Sequence, residues 1–177
     1  SSIQMSYDSN GMRTQKTVGG VKTNYYYDSD KNLIALVKGN DTLLFYYDSD
    51  GSATSFSYNG TMYFYVKNLQ GDVIRIIDLA GTEVASYVYD AWGNIKDTNG
   101  EPTIREINPI RYRGYVYDTE TGLYYLQSRY YDPFAGRFLN ADAYYDTCNS
   151  VLSTNMFAYC ESDPINYIDP YGYASYK

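Results

Sequence analysis

Short runs in which apolar or aromatic residues alternate with polar ones recur along the first hundred residues. They include Leu33 to Val37, Leu43 to Tyr47, Met62 to Val66, Val73 to Ile77 and Glu83 to Tyr89. Alternation with a period of two predicts half-buried β-strands. Two series of turn signals separate the runs. In the first, Tyr7-Asp8, Tyr27-Asp28 and Tyr47-Asp48 stand twenty residues apart. They lead into Asp8-Ser9-Asn10-Gly11, Asp28-Ser29-Asp30-Lys31 and Asp48-Ser49-Asp50-Gly51. Asn68 holds the aspartate slot of the next unit, and Tyr89-Asp90 follows after a slip of two residues, entering Asp90-Ala91-Trp92-Gly93. Aspartate opens such turns because its carboxylate accepts backbone N–H groups a few residues on, and glycine closes them because it tolerates positive φ. The second series falls between the members of the first, at Gly19-Gly20, Gly39-Asn40, Asn59-Gly60, Ala80-Gly81 and Asn99-Gly100.

Turns of two kinds alternating about every ten residues predict a long antiparallel meander, each twenty-residue unit forming one hairpin. A single hairpin is marginal alone in water, so each unit has to lean on its neighbours. The expected fold class is all-β. Composition says what holds it together: 25 of the 177 residues are tyrosine and 18% are aromatic. A well-buried tyrosine removes about 150–250 Å² from water, an upper bound of roughly 4–6 kcal/mol each.

A net charge of −7 argues against a nucleic-acid backbone partner, which calls for a basic stripe. No apolar run approaches the roughly 20 residues of a membrane span. No signal peptide is legible in Ser1 to Met5, but the repeat is already under way at Tyr7, so the chain reads as a piece of a longer one. With no histidine present, serine–histidine or cysteine–histidine catalysis and imidazole metal sites are excluded within the chain. Cys148 and Cys160 could form a disulfide, and two unpaired, partly buried thiols are the simpler reading. Asp48-Ser49-Asp50-Gly51 has the opening of a calcium loop but lacks the distal glutamate, so turn capping is the better account; no metal or other cofactor is expected. Trp92 with the tyrosines could offer a sugar-stacking face, although core packing explains them more simply.

From about Pro109 the text becomes denser and less periodic. It contains Ile110-Arg111-Tyr112-Arg113-Gly114-Tyr115, Asp118-Thr119-Glu120-Thr121-Gly122-Leu123-Tyr124-Tyr125, Arg129-Tyr130-Tyr131-Asp132-Pro133 and Gly136-Arg137-Phe138-Leu139. Ala141-Asp142 follows, and the chain closes on Pro164-Ile165-Asn166-Tyr167-Ile168-Asp169-Pro170-Tyr171-Gly172-Tyr173. These elements, in this order, resemble the core-associated domain that ends the repeat array of Rhs and tyrosine–aspartate (YD) repeat proteins. The resemblance implies a division into YD-type hairpin repeats over residues 1–100 and a core-associated domain over 101–177. It also implies a spiral sheet, a shell segment, with an inward-curling C-terminal cap.

For function, the resemblance implies a secreted or cell-surface bacterial protein whose shell encloses its own C-terminal effector, often a toxin. Many members cut their own chain after an Asp-Pro-any-Gly-Leu motif by aspartic-protease chemistry. By position, Asp142 and Asp169 match the two acids, Arg129 the arginine of the same site, and Tyr173–Ala174 the bond cut. Tyr173 stands where leucine is usual, Ala143 follows Asp142 where proline is usual, and about four extra residues lie between the acids. The residue types suit the chemistry: two close carboxylates share one proton and can divide the roles of general base and general acid, and an arginine can hold one of them. The alternative from a different class is a cell-surface module binding a glycan or a protein through its tyrosine-rich face, with structural carboxylates only.

Overall fold

The computed structural model describes residues 2–141, 155–173 and 175. Ten strands run in simple succession: β1 (Ile3–Tyr7), β2 (Arg13–Val18), β3 (Val21–Tyr27), β4 (Leu33–Lys38) and β5 (Asp41–Tyr47). They continue as β6 (Ala53–Tyr58), β7 (Thr61–Lys67), β8 (Val73–Ile77), β9 (Glu83–Tyr89) and β10 (Ile95–Gly100). Each pairs antiparallel with the next, giving one open ten-stranded meander. A short helix, α1 (Pro102–Ile107), then turns the chain back. A second sheet of four short strands follows, β11 (Val116–Asp118), β12 (Leu123–Tyr125), β13 (Tyr130–Asp132) and β14 (Arg137–Phe138), also in sequential order. The all-β expectation holds, with α1 the one helix longer than a single turn among the described residues.

Each half of the Tyr-Asp pair has its own task. Asp8 Oδ1 accepts the N–H groups of Asn10 and Met12 at 2.9 and 2.8 Å, and Asp28, Asp48, Asn68 and Asp90 repeat the arrangement. The fourth turn residue sits at positive φ, as glycine at Gly11, Gly51, Gly71 and Gly93, while Lys31 takes the same conformation at φ 67° without that freedom. The tyrosine reaches backwards. Tyr27 donates its hydroxyl to the Arg13 carbonyl at 2.9 Å, Tyr47 to Leu33 at 2.8 Å and Tyr89 to Val73 at 2.9 Å. Every such bond staples the end of one strand to the beginning of its upstream neighbour while the ring lies in the core. Where the slot holds Lys67, its Nζ contacts Ser52 Oγ at 2.6 Å instead. The two-residue slip before Tyr89 also has a local cause. The turn between β8 and β9 is of the long aspartate type, with Asp78 Oδ1 accepting Ala80 and Thr82 N–H, where a two-residue turn joins β6 to β7.

A bulge follows each of these aspartate turns. Tyr7 pairs with Arg13 but Ser6 with Gln15, and the same skip recurs opposite Tyr27, Tyr47 and Lys67. The extra residue rotates the strand, so buried positions are spaced three apart at its start. The inward pairs are Leu33 with Leu36, Ala53 with Phe56, Val73 with Ile76 and, in the first unit, Arg13 with Lys16. Together with Tyr25, Leu43, Phe45, Ala85 and Tyr87 the apolar pairs form the core beneath the large sheet.

The polypeptide after Gly100 runs back across that inner face. Tyr87 donates to the Arg105 carbonyl, Tyr65 to Asn108 Oδ1, and Lys16 reaches Asp118 at the far side of the sheet. Ile104 and Ile110 enter the main core. A second core of Tyr112, Tyr115, Tyr124, Tyr131, Phe138 and Tyr159 builds the cap itself. The hydroxyls of Tyr112, Tyr131 and Tyr124 tie it to the Ala91, Trp92 and Gly93 carbonyls. Trp92 packs against this cluster and against Gly136, so core packing accounts for it.

Candidate functional site

The turn between β12 and β13 is tight. Leu126 N–H donates to the Arg129 carbonyl at 3.0 Å and Ser128 N–H to the Leu126 carbonyl at 2.7 Å, with Gln127 at φ 63° between them. Such backbone conformations are uncommon for a side chain with a Cβ and persist where surrounding contacts fix them. Here Gln127 Nε2 donates to the Lys31 carbonyl at 3.0 Å, docking the turn onto the second repeat. The turn launches Arg129 into the interior, where 5% of it is exposed.

The Arg129 guanidinium lies 3.6 Å from the centroid of the Phe138 ring on β14. One of its nitrogens donates to the Met156 carbonyl at 3.2 Å, and another contacts Asp169 Oδ2 at 2.8 Å. Asp169 is 1% exposed. Its backbone N–H donates to the Tyr115 hydroxyl at 3.3 Å, and that hydroxyl pairs with Tyr159 at 3.1 Å. Its other carboxylate oxygen accepts the N–H of Tyr173 at 3.0 Å. The tail is held a second time: Ser128 Oγ lies 2.8 Å from the Tyr171 carbonyl oxygen and 2.6 Å from that of Gly172.

Asp169-Pro170-Tyr171-Gly172-Tyr173 thus reproduces the frame of the repeat turns. An aspartate opens it, glycine at φ 74° comes fourth, and the fifth N–H returns to the aspartate Oδ1. What differs is burial, and the arginine brought to the carboxylate. Two of the sequence-derived site residues, Arg129 and Asp169, are therefore in direct contact, and Tyr173 is bonded to one of them. Asp142 and Ala174 lie outside the described residues, as does Cys148.

Cys160, near Asp169, is a buried free thiol. Burial, with the negative charge of Asp169 adding, pushes it up to about 12, so it remains a neutral S–H at physiological pH and no thiolate nucleophile arises here. Among the described residues no group of histidine, cysteine, aspartate or glutamate side chains could hold a metal ion. At Asp48 the carboxylate is engaged with backbone N–H groups. Pro170 and Tyr171 line a cleft of about 340 Å³ together with Gln127, Arg113, Lys67 and Ser52, which leaves the tail open to water on one side.

The family model of the teneurin YD-shell matches residues 38–165, the greater part of the chain. This chain belongs to the YD-shell family. The YD-shell chain is 42% identical, over 170 residues, to the tRNA3(Ser)-specific nuclease WapA of Bacillus spizizenii; the match takes in 94% of this chain and 7% of WapA. It is 36% identical over 101 residues to double-stranded DNA deaminase toxin A of Burkholderia cenocepacia, covering 56% of this chain and 7% of the toxin. It therefore spans a small fraction of the length of each of these two relatives. Among solved structures, a TcdB2–TccC3–Cdc42 crystal structure superposes with a TM-score of 0.67 at 18% identity, covering 97% of this chain and 10% of that one. The Tc holotoxin pore of Photorhabdus luminescens gives 0.61 at 19%, covering 97% and 10%. At these identities the likeness is one of fold, and it is the shell-type fold of Rhs proteins. No helix among the described residues is long and apolar enough to cross a membrane.

A second buried ionic cluster was not anticipated from the sequence. Arg13 is fully buried, forms a two-pronged pair with Asp118, and lies 4.5 Å from the ring centroids of both Tyr25 and Tyr125. Lys16 Nζ adds contacts to Asp118 at 2.8 Å and Glu120 at 2.7 Å. Burial works upward on the Glu120 carboxyl, but its hydrogen bonds to Lys16 and to backbone, with the positive charges of Lys16 and Lys38, together hold it below the usual range. The signal lay in the repeat register, because Arg13 and Lys16 occupy the slots of Leu33 and Leu36.

Proposed function

We propose that this chain is the closing segment of a toxin-type YD shell, secreted or surface-displayed, which encloses the effector carried by its own polypeptide. The ten-stranded sheet over residues 1–100 forms wall, and residues 101–177 form the cap. In this reading the cap cuts its own chain once, after Tyr173. The observation that carries it is the buried Arg129–Asp169 pair bonded to the N–H of Tyr173, which sets a carboxylate beside the residue whose carbonyl would be attacked. The names of the relatives, a tRNA nuclease and a DNA deaminase toxin, support an effector as cargo.

The chemistry uses two acids in complementary states. Asp169, paired with Arg129, takes a proton from a water molecule as that water adds to the Tyr173 carbonyl carbon. Asp142 donates a proton to the Ala174 nitrogen as the C–N bond breaks. The products are a chain ending in the Tyr173 carboxylate and a new amino terminus at Ala174. The Arg129 guanidinium, stacked on Phe138 and bound to Met156, keeps the carboxylate oriented.

The test is a chain carrying a reporter tag after Lys177. Intact mass spectrometry should find wild type cut to residues 1–173, whereas Asp169→Asn stays whole, with cleavage slowed by at least about 10³-fold, within the range of general acid–base catalysis. An uncut wild type removes the protease claim and leaves the shell. A second reading, a glycan- or protein-binding surface, draws on Tyr26, Leu44 and Tyr46, which are exposed on the outer face of the large sheet. Loss of glycan-array or partner binding in Tyr26→Ala/Tyr46→Ala would favour it.

A further inference from the structure

One short turn touches the tail at two chemically different places. Arg129, at its end, holds the carboxylate of Asp169, and Ser128, one residue earlier, meets the carbonyls of Tyr171 and Gly172 at 2.8 and 2.6 Å. A serine hydroxyl has a single proton, so it donates to one carbonyl at a time while standing in the fork between the two. These are the last two carbonyls before Tyr173.

The fit at Gly172 is close. A Cβ there would come within 2.6 Å of Ser128 Oγ and 2.9 Å of the Leu126 carbonyl oxygen, at a φ of 74°. Glycine is needed so that the tail's backbone can lie directly on the 126–129 turn. That turn is itself fixed by the positive φ of Gln127 and by the bond from Gln127 to the Lys31 carbonyl. The tail is thus registered by two polar clasps, one on the Asp169 side chain and one on the backbone just upstream of Tyr173.

We propose that Ser128 is a positioning residue that selects which peptide bond the carboxylate pair meets; this rests on the self-cleavage reading above. The Asp169 carboxylate holds the tail at the Tyr173 N–H, one residue beyond the carbonyls that Ser128 meets. The Ser128 hydroxyl, donating to one or the other of two successive carbonyls, restrains the backbone immediately upstream of Tyr173 and so limits how its carbonyl can turn. Misplacement by about 1 Å is enough to slow an oriented reaction by roughly 10²-fold.

The experiment has two arms. In the first, hydrogen exchange of the Gly172 and Tyr173 amides is compared between wild type and Ser128→Ala. Release of the fork speeds exchange there by about tenfold or more and leaves the β11–β13 amides unchanged, while unaltered tail exchange overturns the proposal. In the second, the tagged chain is followed by mass spectrometry. Ser128→Ala lowers the cleavage rate about 10- to 100-fold and spreads cuts to the bonds flanking Tyr173–Ala174. Ser128→Thr, which keeps the hydroxyl, restores single-site cutting. Wild-type rate and a single cut in Ser128→Ala also overturn the proposal. If wild type stays whole, or Asp169→Asn is cut like wild type, the parent reading fails and takes this one with it; the exchange arm then still reports whether the fork is made.

Discussion

Raising the pH past 10 is expected to unfold this protein cooperatively, before pH 12 is reached. Burial raises the phenols of Tyr27, Tyr47, Tyr89, Tyr130 and Tyr131, pushes Tyr125 up to about 12, and lifts Tyr65, Tyr115, Tyr124 and Tyr159 well above the usual value. Several of these hydroxyls are the donors that staple strand to strand, a task a phenolate cannot perform. The sign follows from where the protons sit. Below about pH 10 both folded and unfolded chains keep them, so this contribution to stability is complete. Above it only the unfolded chain releases them, and stability falls until the folded-state values are reached. Each phenol that ionises only on unfolding removes about 1.4 kcal/mol per pH unit. Several acting together exhaust a total stability of roughly 5–15 kcal/mol within one or two units. Tyrosinate absorbance and far-ultraviolet circular dichroism should change together in one step. Gradual ionisation with the β signal intact would contradict the assignment of these rings to the core.

Asp118→Ala is expected to cost about 3–5 kcal/mol, because it strands a fully buried arginine and a nearly buried lysine without their shared carboxylate. The cluster joins the first repeat to the cap across 105 residues of chain, so its loss loosens one whole side of the cap. Replacing Arg13 by methionine in the same chain should recover part of the loss, since an apolar side chain of similar length between Tyr25 and Tyr125 leaves no unpaired charge. Urea midpoints of the two single variants and the double variant give the coupling. A loss below about 1 kcal/mol, the range of exposed ion pairs, would mean that water reaches the cluster.

The strands from Leu33 to Tyr89, the two kinds of turn and the location of the aspartate caps follow the sequence closely, since each depends on residues within a few positions of one another. The bulges are not legible in an alternation of period two. Strict alternation from Arg13 would turn Lys16 toward solvent, whereas the extra residue at Thr14 brings both inward. Aligning the units at twenty residues would have exposed this, for Leu33 and Leu36, Ala53 and Phe56, and Val73 and Ile76 repeat the same spacing. In the cap, Arg129 and Asp169 came from family likeness. Nothing in the composition distinguishes them from the chain's other charged residues, and the part played by Ser128 left no mark at all.

By itself, then, the sequence determined that this protein is a tyrosine-rich β meander leading into a less periodic segment, because period, turn chemistry and ring content are local properties of the chain. The inward curl of the cap was implied by family likeness; only the tertiary structure decided which residues meet beneath it, that Arg13 is interior, and that the 126–129 turn grips the tail by side chain and backbone together. Those contacts join residues some 40 to 105 positions apart. Their partners are chosen by how the two sheets pack, a choice no local pattern encodes.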